Sequence, residues 1–390
     1  MEFAINPSRV ISALCYSIFR LEPYSICSYS CKYCYARWYR KGGAPNFDIL
    51  KAFLKLAKRL DLRIPMRLAT LSDPLQDAEE RYKLTFKLLN LAKEHDVPII
   101  LCTKSDRIAR EPWKGLIDSM ARDGLIVVQV SISSLRYNYL EPLAPPPEER
   151  LEALSSLEAP KVLRLQPLIP NYSFSSAEEF VESVKSSGIE QITTELLRIE
   201  AGERALYEKF WQRWSEYSLE GRLVKAEAPD ILKELRKACD KYKLGFGLCK
   251  EGLLNLETAN CCGLHLLDAE LRPTLRELYK ELVRVKKVEL EKVGEIFRPY
   301  LFGDRLNELP GPVRKALRHH EKVMLSVLSD EKALSLVTPL MRLEGSAVVL
   351  SQTRLGVAAG GKPTSGFINS CQDDLTWHRS REWRCRASRK

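Results

Sequence analysis

LIVVQVSIS, residues 125 to 133, reads as one β-strand with two unlike faces. Successive side chains of a strand point to opposite sides of a sheet. Gln129, Ser131 and Ser133 therefore share one face, while valine and isoleucine occupy the other. A parallel sheet covered by helices on both faces needs apolar residues on both. The polar face instead predicts a sheet that curves around a water-filled lumen, in which a polar ligand binds.

The same pattern extends along the chain from Ser12 to about Tyr217, where β-rich runs alternate with amphipathic stretches. The six predicted strands are 15–21, 66–72, 98–103, 125–133, 161–169 and 191–199. Two predicted helices carry the apolar stripes Leu50, Phe53, Ala57 and Leu60, and Leu206, Phe210, Trp214 and Tyr217. Such alternation is typical of βα units around a parallel sheet.

Polar side chains also share one face on two further strands. Arg164 and Gln166 share a face of the fifth strand, and Thr193 and Glu195 share a face of the sixth. Six βα units are fewer than the eight that close a barrel. We therefore predict an α/β fold, a partial (βα)6 barrel with a lateral mouth and a mainly helical C-terminal extension. A flat doubly wound sheet is the alternative.

Three regions follow from these patterns. Residues 1–220 form the partial barrel, and the βα alternation is expected to stop near residue 220. Residues 221–344 form a helical, cysteine-containing extension, with helices around 229–241, 268–291 and 311–330. Residues 345–390 are turn-rich and basic, and little order is expected there. Within the barrel, the proline-rich stretch 140–150 is predicted to be an extended linker.

The composition is that of an ordinary globular protein, with 45% hydrophobic and 29% charged residues. We expect a cytoplasmic protein, because the chain has neither a secretory signal pattern nor an apolar run of membrane-spanning length. Eleven cysteines are then expected to be reduced thiols or metal ligands. The net charge of +10 is a weak indication of a nucleic-acid partner, and a solubilising surface charge is the alternative.

Cys27, Cys31 and Cys34 lie in the loop after the first strand, at the end of the sheet where βα folds carry their chemistry. Three thiolates can hold three irons of a [4Fe-4S] cluster and leave the fourth iron open to a ligand. A zinc site completed by a distant ligand is one alternative. A cluster that only transfers electrons is another, although it would normally have a fourth cysteine.

The C-x3-C-x2-C spacing, with Tyr33 before the last cysteine, resembles the signature of the radical S-adenosylmethionine superfamily. YCYARWY (33–39), LSDPLQDAEERYKLT (71–85), CTKS (102–105) and VSISSL (130–135) resemble its spore photoproduct lyase-like branch, also described as DNA repair photolyase-like. The resemblance covers about residues 12–200. It implies a partial (βα)6 barrel, in agreement with the six units counted above.

By this resemblance, Cys27, Cys31 and Cys34 would ligate the cluster, and S-adenosylmethionine would chelate the open iron. The residues expected to bind S-adenosylmethionine are Ser72 and Asp73 for its amino group, Lys104 for its carboxylate, Ser131 for its ribose, Tyr33 near its adenine, and Gln129. Helix capping or turn formation is the alternative role for such polar residues. The implied activity is reductive cleavage of the cofactor to a 5'-deoxyadenosyl radical that abstracts hydrogen from a substrate.

A reductant such as ferredoxin or flavodoxin is implied, the substrate is unidentified, and nucleic acid is one candidate. The alternative is a non-catalytic metal-binding or iron-sulfur protein that binds nucleic acid. The sequence departs from the lyases at ATLSD (69–73), where they carry a hydrogen-donating cysteine. Cys102 is a candidate donor instead, with a buried structural thiol as the alternative. Arg164, Gln166 and Glu195 are candidate substrate contacts, with a salt bridge between Arg164 and Glu195 as the alternative.

A second group of ligand-type residues lies in the extension and consists of Cys239, Cys249, Cys261, Cys262 and His265. Its spacing matches no known zinc finger. A second metal or cluster near Cys249, Cys261 and Cys262 is one hypothesis, and structural thiols are the other.

Overall fold

The computed structural model describes residues 3–38, 45–200, 217–220, 223–226 and 228–351. Its strands are β1 (Phe19–Leu21), β2 (Met66–Leu68), β3 (Ile99–Thr103), β4 (Ile126–Ser131), β5 (Lys161–Leu168), β6 (Gln191–Leu196), β7 (Arg198–Glu200), β8 (Tyr217–Glu220), β9 (Leu223–Ala226), β10 (Gly245–Leu248), β11 (Lys287–Glu289), β12 (Met341–Glu344) and β13 (Ala347–Leu350). Its helices are α1 (Arg9–Leu14), α2 (Asp48–Ala57), α3 (Ala78–Tyr82), α4 (Leu84–Glu94), α5 (Trp113–Arg122), α6 (Pro147–Ser155), α7 (Ala177–Lys185), α8 (Pro229–Lys241), α9 (Leu275–Val285), α10 (Val293–Phe297), α11 (Gly311–Val327) and α12 (Glu331–Val337).

The main sheet is parallel and has the order β1-β2-β3-β4-β5-β6-β10. From β1 to β6 each strand lies beside its predecessor along the chain, and β10 continues the sheet in the same direction beside β6, whereas a doubly wound sheet reverses direction at a switch point. The sequential order therefore excludes the flat alternative, and the predicted α/β class with a partial barrel is confirmed. The first predicted helical stripe is confirmed in part: α2 contains Leu50 and buries Phe53 and Ala57, but it ends at Ala57, before Leu60.

The two faces of the sheet differ as the parity predicted. Apolar side chains such as Val128 and Leu163 point outward into the core formed with the helices. Gln129, Ser131 and Arg164 point to the other face, which lines the lumen. An inner face with polar groups requires partners or water, because a buried polar group without them is costly. The lumen is consequently the place where ligand chemistry can occur.

The expectation that βα alternation ends near residue 220 is wrong. Helix α8 leads into β10, which pairs in parallel with β6 as a seventh strand of the main sheet. Most of the second predicted helical stripe, from residue 206 to 214, lies outside the described residues, and Tyr217 begins β8 rather than ending a helix. The predicted tail also begins with a strand, β13, while residues 352–390 lie outside the described part.

A second apolar core joins the two ends of the chain. Ala13 and Leu14 from α1 pack with Leu278 and Leu282 from α9 and with Met324 from α11. The antiparallel sheet β11-β13-β12 covers the same core. Burial of this apolar surface attaches the C-terminal extension to the segment that leads into β1. In the described ranges, no helix is both long and apolar enough to cross a membrane.

The lumen is closed at the amino ends of its strands by residues 258–268, here called the floor segment. Gln129 Nε2 donates to the carbonyl of Cys262 (2.8 Å), and Gln191 Nε2 donates to the carbonyl of Asn260 (2.7 Å). The floor segment approaches β10 so closely that a Cβ at Gly247 would lie 2.9 Å from Cys261 Cα. The main sheet and the extension are therefore joined across the bottom of the lumen.

The floor predicts a specific effect of Gly263→Ala. Gly263 has φ +67°, and an added Cβ would lie 2.8 Å from Val162 Cγ2 and 3.2 Å from Val127 Cγ2. Overlap and the left-handed backbone should together lower the free energy of unfolding by about 1–3 kcal/mol. Urea denaturation measures this change. Gly311→Ala, where nothing lies within 4 Å, is the matched control, and equal midpoints for the two variants would contradict the packing of the floor.

Candidate active site

The cysteine loop leaves the carboxyl end of β1 and is fixed by hydrogen bonds to its backbone. Gln76 Nε2 donates to the carbonyl of Ile26 (2.7 Å), and its Oε1 accepts from the amide of Ser28 (2.8 Å). The amide of Lys32 donates to the carbonyl of Leu140 (2.9 Å). Backbone groups that lack regular secondary structure need such partners when buried. The loop is thus held from both sides before any ligand binds.

The three predicted ligands Cys27, Cys31 and Cys34 are all half-buried. The pKa of Cys31 is raised to about 12, first by burial and then by the Glu141 carboxylate and the other two thiols, while the Lys104 ammonium lowers it. Mutual influence of this kind shows that the three side chains are neighbours. Ser28 Oγ, in the same loop, is buried without a hydrogen-bond partner among the described residues.

This donor set fits a [4Fe-4S] cluster. Each thiolate of such a cluster binds its own iron at a separate corner, so the sulfurs need not converge on one point. Among the residues that the structure describes, no three His, Cys, Asp or Glu side chains are arranged to hold a metal ion. A zinc site requires thiolates at about 2.3 Å from one ion. Three cysteines that each bind one iron leave the fourth iron open, and the Ser28 hydroxyl, buried without a hydrogen-bond partner among the described residues, could donate to a cluster sulfur.

Glu141 connects this loop to the barrel, and the sequence analysis missed it. Its carboxylate accepts hydrogen bonds from the Tyr33 hydroxyl, Lys104 Nζ (3.0 Å), Ser133 Oγ (2.8 Å) and Arg150 Nη1. Burial alone would raise the pKa of Glu141, but the Lys104 and Arg150 charges and the Tyr33 hydroxyl lower it to about 2. Glu141 is consequently ionised at neutral pH although its side chain is buried.

Three of the predicted cofactor residues meet beside Glu141. Lys104 Nζ donates to Ser131 Oγ (2.7 Å) and lies 5.6 Å from the centre of the Tyr33 ring. These side chains come from β4, the end of β3 and the cysteine loop. An ammonium, a hydroxyl and an aromatic face are thus grouped at the cluster position. A carboxylate ligand at Lys104 would share that ammonium with Glu141.

Ser72 and Asp73, also predicted to bind the cofactor, form contacts within the protein. Asp73 is buried and accepts from Thr103 Oγ1 (2.7 Å), the amide of Lys104 (2.6 Å) and the amide of Leu75 (2.9 Å). Burial raises its pKa, and these hydrogen bonds lower it in part. Ser72 Oγ donates to the carbonyl of Tyr24 (2.8 Å). A carboxylate has about four acceptor positions, so Asp73 retains capacity for one more donor.

Below these residues, Gln129 and Arg164 line the lower lumen. Arg164 Nη1 donates to Gln129 Oε1 (2.9 Å), while the Gln129 amide nitrogen holds the floor segment. Cys102 lies half-buried on β3, and its thiol affects the pKa of Arg164. The shared parity of Cys102 and Lys104 thus places this thiol on the lumen side, as the candidate donor role requires.

Glu195 is not explained by a simple pair with Arg164. Its carboxylate accepts from Arg198 Nη1 (2.7 Å) and Lys250 Nζ (3.4 Å). Burial raises its pKa, but the Lys250, Arg198 and Arg164 charges lower it to about 2. Glu195 is therefore an ionised group, which suits it for binding a donor and not for accepting a proton at neutral pH.

The second cysteine group is only partly assembled as predicted. Cys261 Sγ and Cys262 Sγ are 3.8 Å apart, and Cys249 forms a side-chain hydrogen bond with Cys261 that lowers the pKa of Cys249 to about 7. Cys239 instead packs in the outer apolar core. Cys15, which the sequence analysis did not include, lies close enough to Cys262 to affect its electrostatics. No cue in the local sequence connects Cys15 with residues 247 positions away.

Comparisons with known proteins agree with the motif. The family model described as the radical SAM superfamily, where SAM is S-adenosylmethionine, matches residues 21–159. An uncharacterized protein of Methanocaldococcus jannaschii is 29% identical over 179 residues, which are 43% of this chain and 65% of that protein. The match therefore spans less than two thirds of that relative's own length.

Solved structures to which part of this chain is similar include a spore photoproduct lyase mutant with bound S-adenosylmethionine and dinucleoside spore photoproduct. It is 16% identical with a TM-score of 0.44, over 60% of this chain and 76% of the other. Another is SuiB of Streptococcus suis bound to S-adenosylmethionine, 14% identical with a TM-score of 0.36, over 59% of this chain and 45% of the other.

The resemblance of the cysteine loop to the radical SAM superfamily is confirmed by this family match. Cys27, Cys31 and Cys34 lie within the matched residues 21–159, and the rest of the chain lies outside the match.

The lowered pKa of Glu141 predicts how Glu141→Gln changes stability with pH. Because the folded pKa of about 2 lies below the usual 4.5, the carboxylate stabilises the fold above about pH 4.5, and this contribution is lost as pH falls towards 2. The variant should be destabilised by about 3 kcal/mol at pH 7. The difference from wild type should shrink on acidification.

Chemical denaturation at several pH values measures this difference. Glu158→Gln is the matched control, because Glu158 forms an ion pair with Arg122 in which both side chains are about 60% exposed, and such pairs contribute little. A constant difference between wild type and Glu141→Gln from pH 7 to pH 3 would contradict the ionised buried carboxylate.

Proposed function

We propose that this protein is a radical S-adenosylmethionine enzyme that reductively cleaves the cofactor at a [4Fe-4S] cluster held by Cys27, Cys31 and Cys34. One observation carries the proposal: the three-thiol loop lies directly beside the group formed by Lys104 and Tyr33. A metal site that only stabilised the fold would not need an ammonium and an aromatic face at its side.

Bound there, the cluster and S-adenosylmethionine would supply a 5'-deoxyadenosyl radical, formed by one-electron cleavage of a carbon-sulfur bond, which abstracts hydrogen from the substrate. The chain's own residues bind and orient. Lys104 would attract the cofactor carboxylate, and Asp73 with Ser72 would receive its ammonium. Tyr33 would pack near the adenine, and Ser131 and Gln129 offer hydroxyl and amide groups to the ribose.

The lower lumen would act on the substrate. Cys102 would donate its thiol hydrogen atom to the product radical, in place of the cysteine that spore photoproduct lyases carry before their serine-aspartate pair. The thiyl radical left on Cys102 would return to the thiol with one electron from the reductant and one proton. Arg164 and Glu195 would contact polar groups of the substrate. The Glu195 carboxylate is held ionised by Lys250 and Arg198, which favours a donor group opposite it.

The electron would come from a small reductant such as ferredoxin or flavodoxin, in the cytoplasm. The substrate is unassigned, and nucleic acid is a candidate because of the net charge of +10 and the resemblance to the lyase-like branch. The alternative function is a non-catalytic iron-sulfur or metal protein that binds nucleic acid. That alternative predicts no cleavage of S-adenosylmethionine under any reducing condition.

The first test reconstitutes the protein anaerobically with iron and sulfide and adds dithionite and S-adenosylmethionine. Wild type should form 5'-deoxyadenosine, and Cys31→Ala should form none, because the loop then holds too few thiolates. Chromatography detects the product. Cys239→Ala, which removes a buried thiol of α8 outside the loop, is the control. Product from Cys31→Ala at the wild-type level would refute the proposed cluster ligands.

Iron in the same samples would be counted to test a second metal or cluster near Cys249, Cys261 and Cys262. About four irons per chain indicate one cluster, and about eight would indicate that this second cysteine group binds another cluster.

Lys104→Met tests the proposed cofactor carboxylate partner. Loss of a charge-assisted hydrogen bond should raise the dissociation constant for S-adenosylmethionine about 10- to 100-fold. Anaerobic equilibrium dialysis on the reconstituted protein measures this constant. Lys114→Met removes a lysine that pairs with Asp118 on α5 and serves as the control. An unchanged constant for Lys104→Met would assign Lys104 to Glu141 alone.

A further inference from the structure

Two arginines in the lower lumen, Arg67 and Arg164, differ in their partners from the other cations around it. Arg20 lies 4.0 Å from Glu22, Lys104 lies 3.0 Å from Glu141, and Arg198 lies 2.7 Å from Glu195. Arg67 on β2 and Arg164 on β5 form no ion pair with a carboxylate within the described ranges, although the Arg164 charge helps to lower the pKa of Glu195. Arg164 Nη1 donates to the Gln129 amide oxygen, and Arg67 Nη2 donates to Cys262 Sγ (2.8 Å). The hydrogen bond with Cys261 and the charges of both arginines lower the pKa of the Cys262 thiol well below its usual value.

Arg67 is only 8% exposed, and its Nε has no hydrogen-bond partner among the described residues. Burial of a guanidinium group is costly unless an anion and hydrogen-bond acceptors compensate. A donor that is buried and unpaired in this way faces a position where an acceptor is missing. The Arg20 Nε atom, on the neighbouring strand β1, is likewise buried and unpaired.

The two guanidinium groups also act on each other. Burial and the Arg67 charge lower the pKa of Arg164, but the thiols of Cys102, Cys249 and Cys262 outweigh them, so this pKa is raised on balance. Two like charges in one lumen repel unless an anion lies between them. Both arginines belong to parallel strands that face the same space, and Arg164 is partly exposed to it. A ligand with oxyanion groups would satisfy both.

Resting on the proposed function, we propose that the lower lumen binds an oxyanion group of the substrate, phosphate or carboxylate, between Arg67 and Arg164. Guanidinium groups are suited to this role because they bind such oxyanions through two parallel hydrogen bonds. The anion would lie above the floor segment and below Lys104. It would hold the rest of the substrate beside the Cys102 thiol, where a hydrogen atom is exchanged.

One alternative is that the Cys262 thiolate is the complete counter-charge. Cys262 Sγ accepts from Arg67 Nη2 and also lies 3.8 Å from Cys261 Sγ. Arg67 Nε still has no hydrogen-bond partner among the described residues. A second alternative is that the two arginines bind the carboxylate of S-adenosylmethionine. The first alternative predicts no saturable anion binding. The second predicts that S-adenosylmethionine displaces the bound anion.

The test titrates inorganic phosphate, and separately acetate, into the reconstituted full-length protein by isothermal titration calorimetry at low ionic strength. Wild type should bind at least one of them saturably with one site per chain. Arg67→Gln and Arg164→Gln should each weaken that binding about tenfold or more. Arg122→Gln removes a surface guanidinium that is 61% exposed and should bind like wild type.

The two probes identify the source of the oxyanion, since tighter phosphate binding indicates a phosphate-bearing substrate and tighter acetate binding a carboxylate. If Arg67→Gln does not fold, Arg164→Gln decides, because its side chain is more exposed. No saturable binding would overturn the proposal in favour of the Cys262 thiolate. Equal weakening in Arg122→Gln would also overturn it, as would competitive displacement of the probe by S-adenosylmethionine.

The anion-binding experiment and the cofactor-cleavage experiment test the two proposals separately. Phosphate or acetate binding with no 5'-deoxyadenosine would contradict the proposed reaction and leave the anion site intact. Formation of 5'-deoxyadenosine without anion binding would contradict the anion site alone.

Discussion

A single buried carboxylate, that of Glu141, connects the parts of the candidate active site. Its four donors come from the cysteine loop, the end of β3, the end of β4 and the start of α6. An ionised group with 2% exposure is stable only while its partners remain in place. The position of Tyr33 and Lys104 relative to the three thiols therefore depends on this one carboxylate.

The fold was predictable where periodicity carries the information. The alternation around Gln129 and Ser131 identified the lumen face, and the spacing of the runs identified six of the seven main strands. The seventh, β10, was missed because GFGL has little strand propensity. Its glycines have a packing reason, since a Cβ at Gly247 would lie 2.9 Å from Cys261 Cα. The close contact with Cys261 thus requires glycine at Gly247, and glycine in turn makes the strand hard to recognise in the sequence.

The site residues that belong to short local motifs could be predicted from the sequence. Those that depend on contacts between residues far apart in the sequence could not. Cys27, Cys31 and Cys34, with Lys104 and its neighbours, follow from short motifs at strand ends. Glu141 and Arg150 flank a proline-rich stretch that reads as a linker, yet Arg150 is fully buried and its Nη1 also donates to the carbonyl of Ser131 (3.0 Å). The ion pair between Glu141 and Arg150 holds that stretch over the site. Two charged residues in a linker do not by themselves predict such a contact.

The floor segment gives the lumen the character of a blind pocket. One end is closed by residues 258–268, the other is covered by the cysteine loop, and the edge strands β1 and β10 are not paired with each other. If the gap between these edges admits both substrate and cofactor, the two share one entrance. A molecule that reaches Arg67 must then arrive before one that binds at Lys104. Access alone would impose a compulsory order of binding, and departure would follow the reverse order.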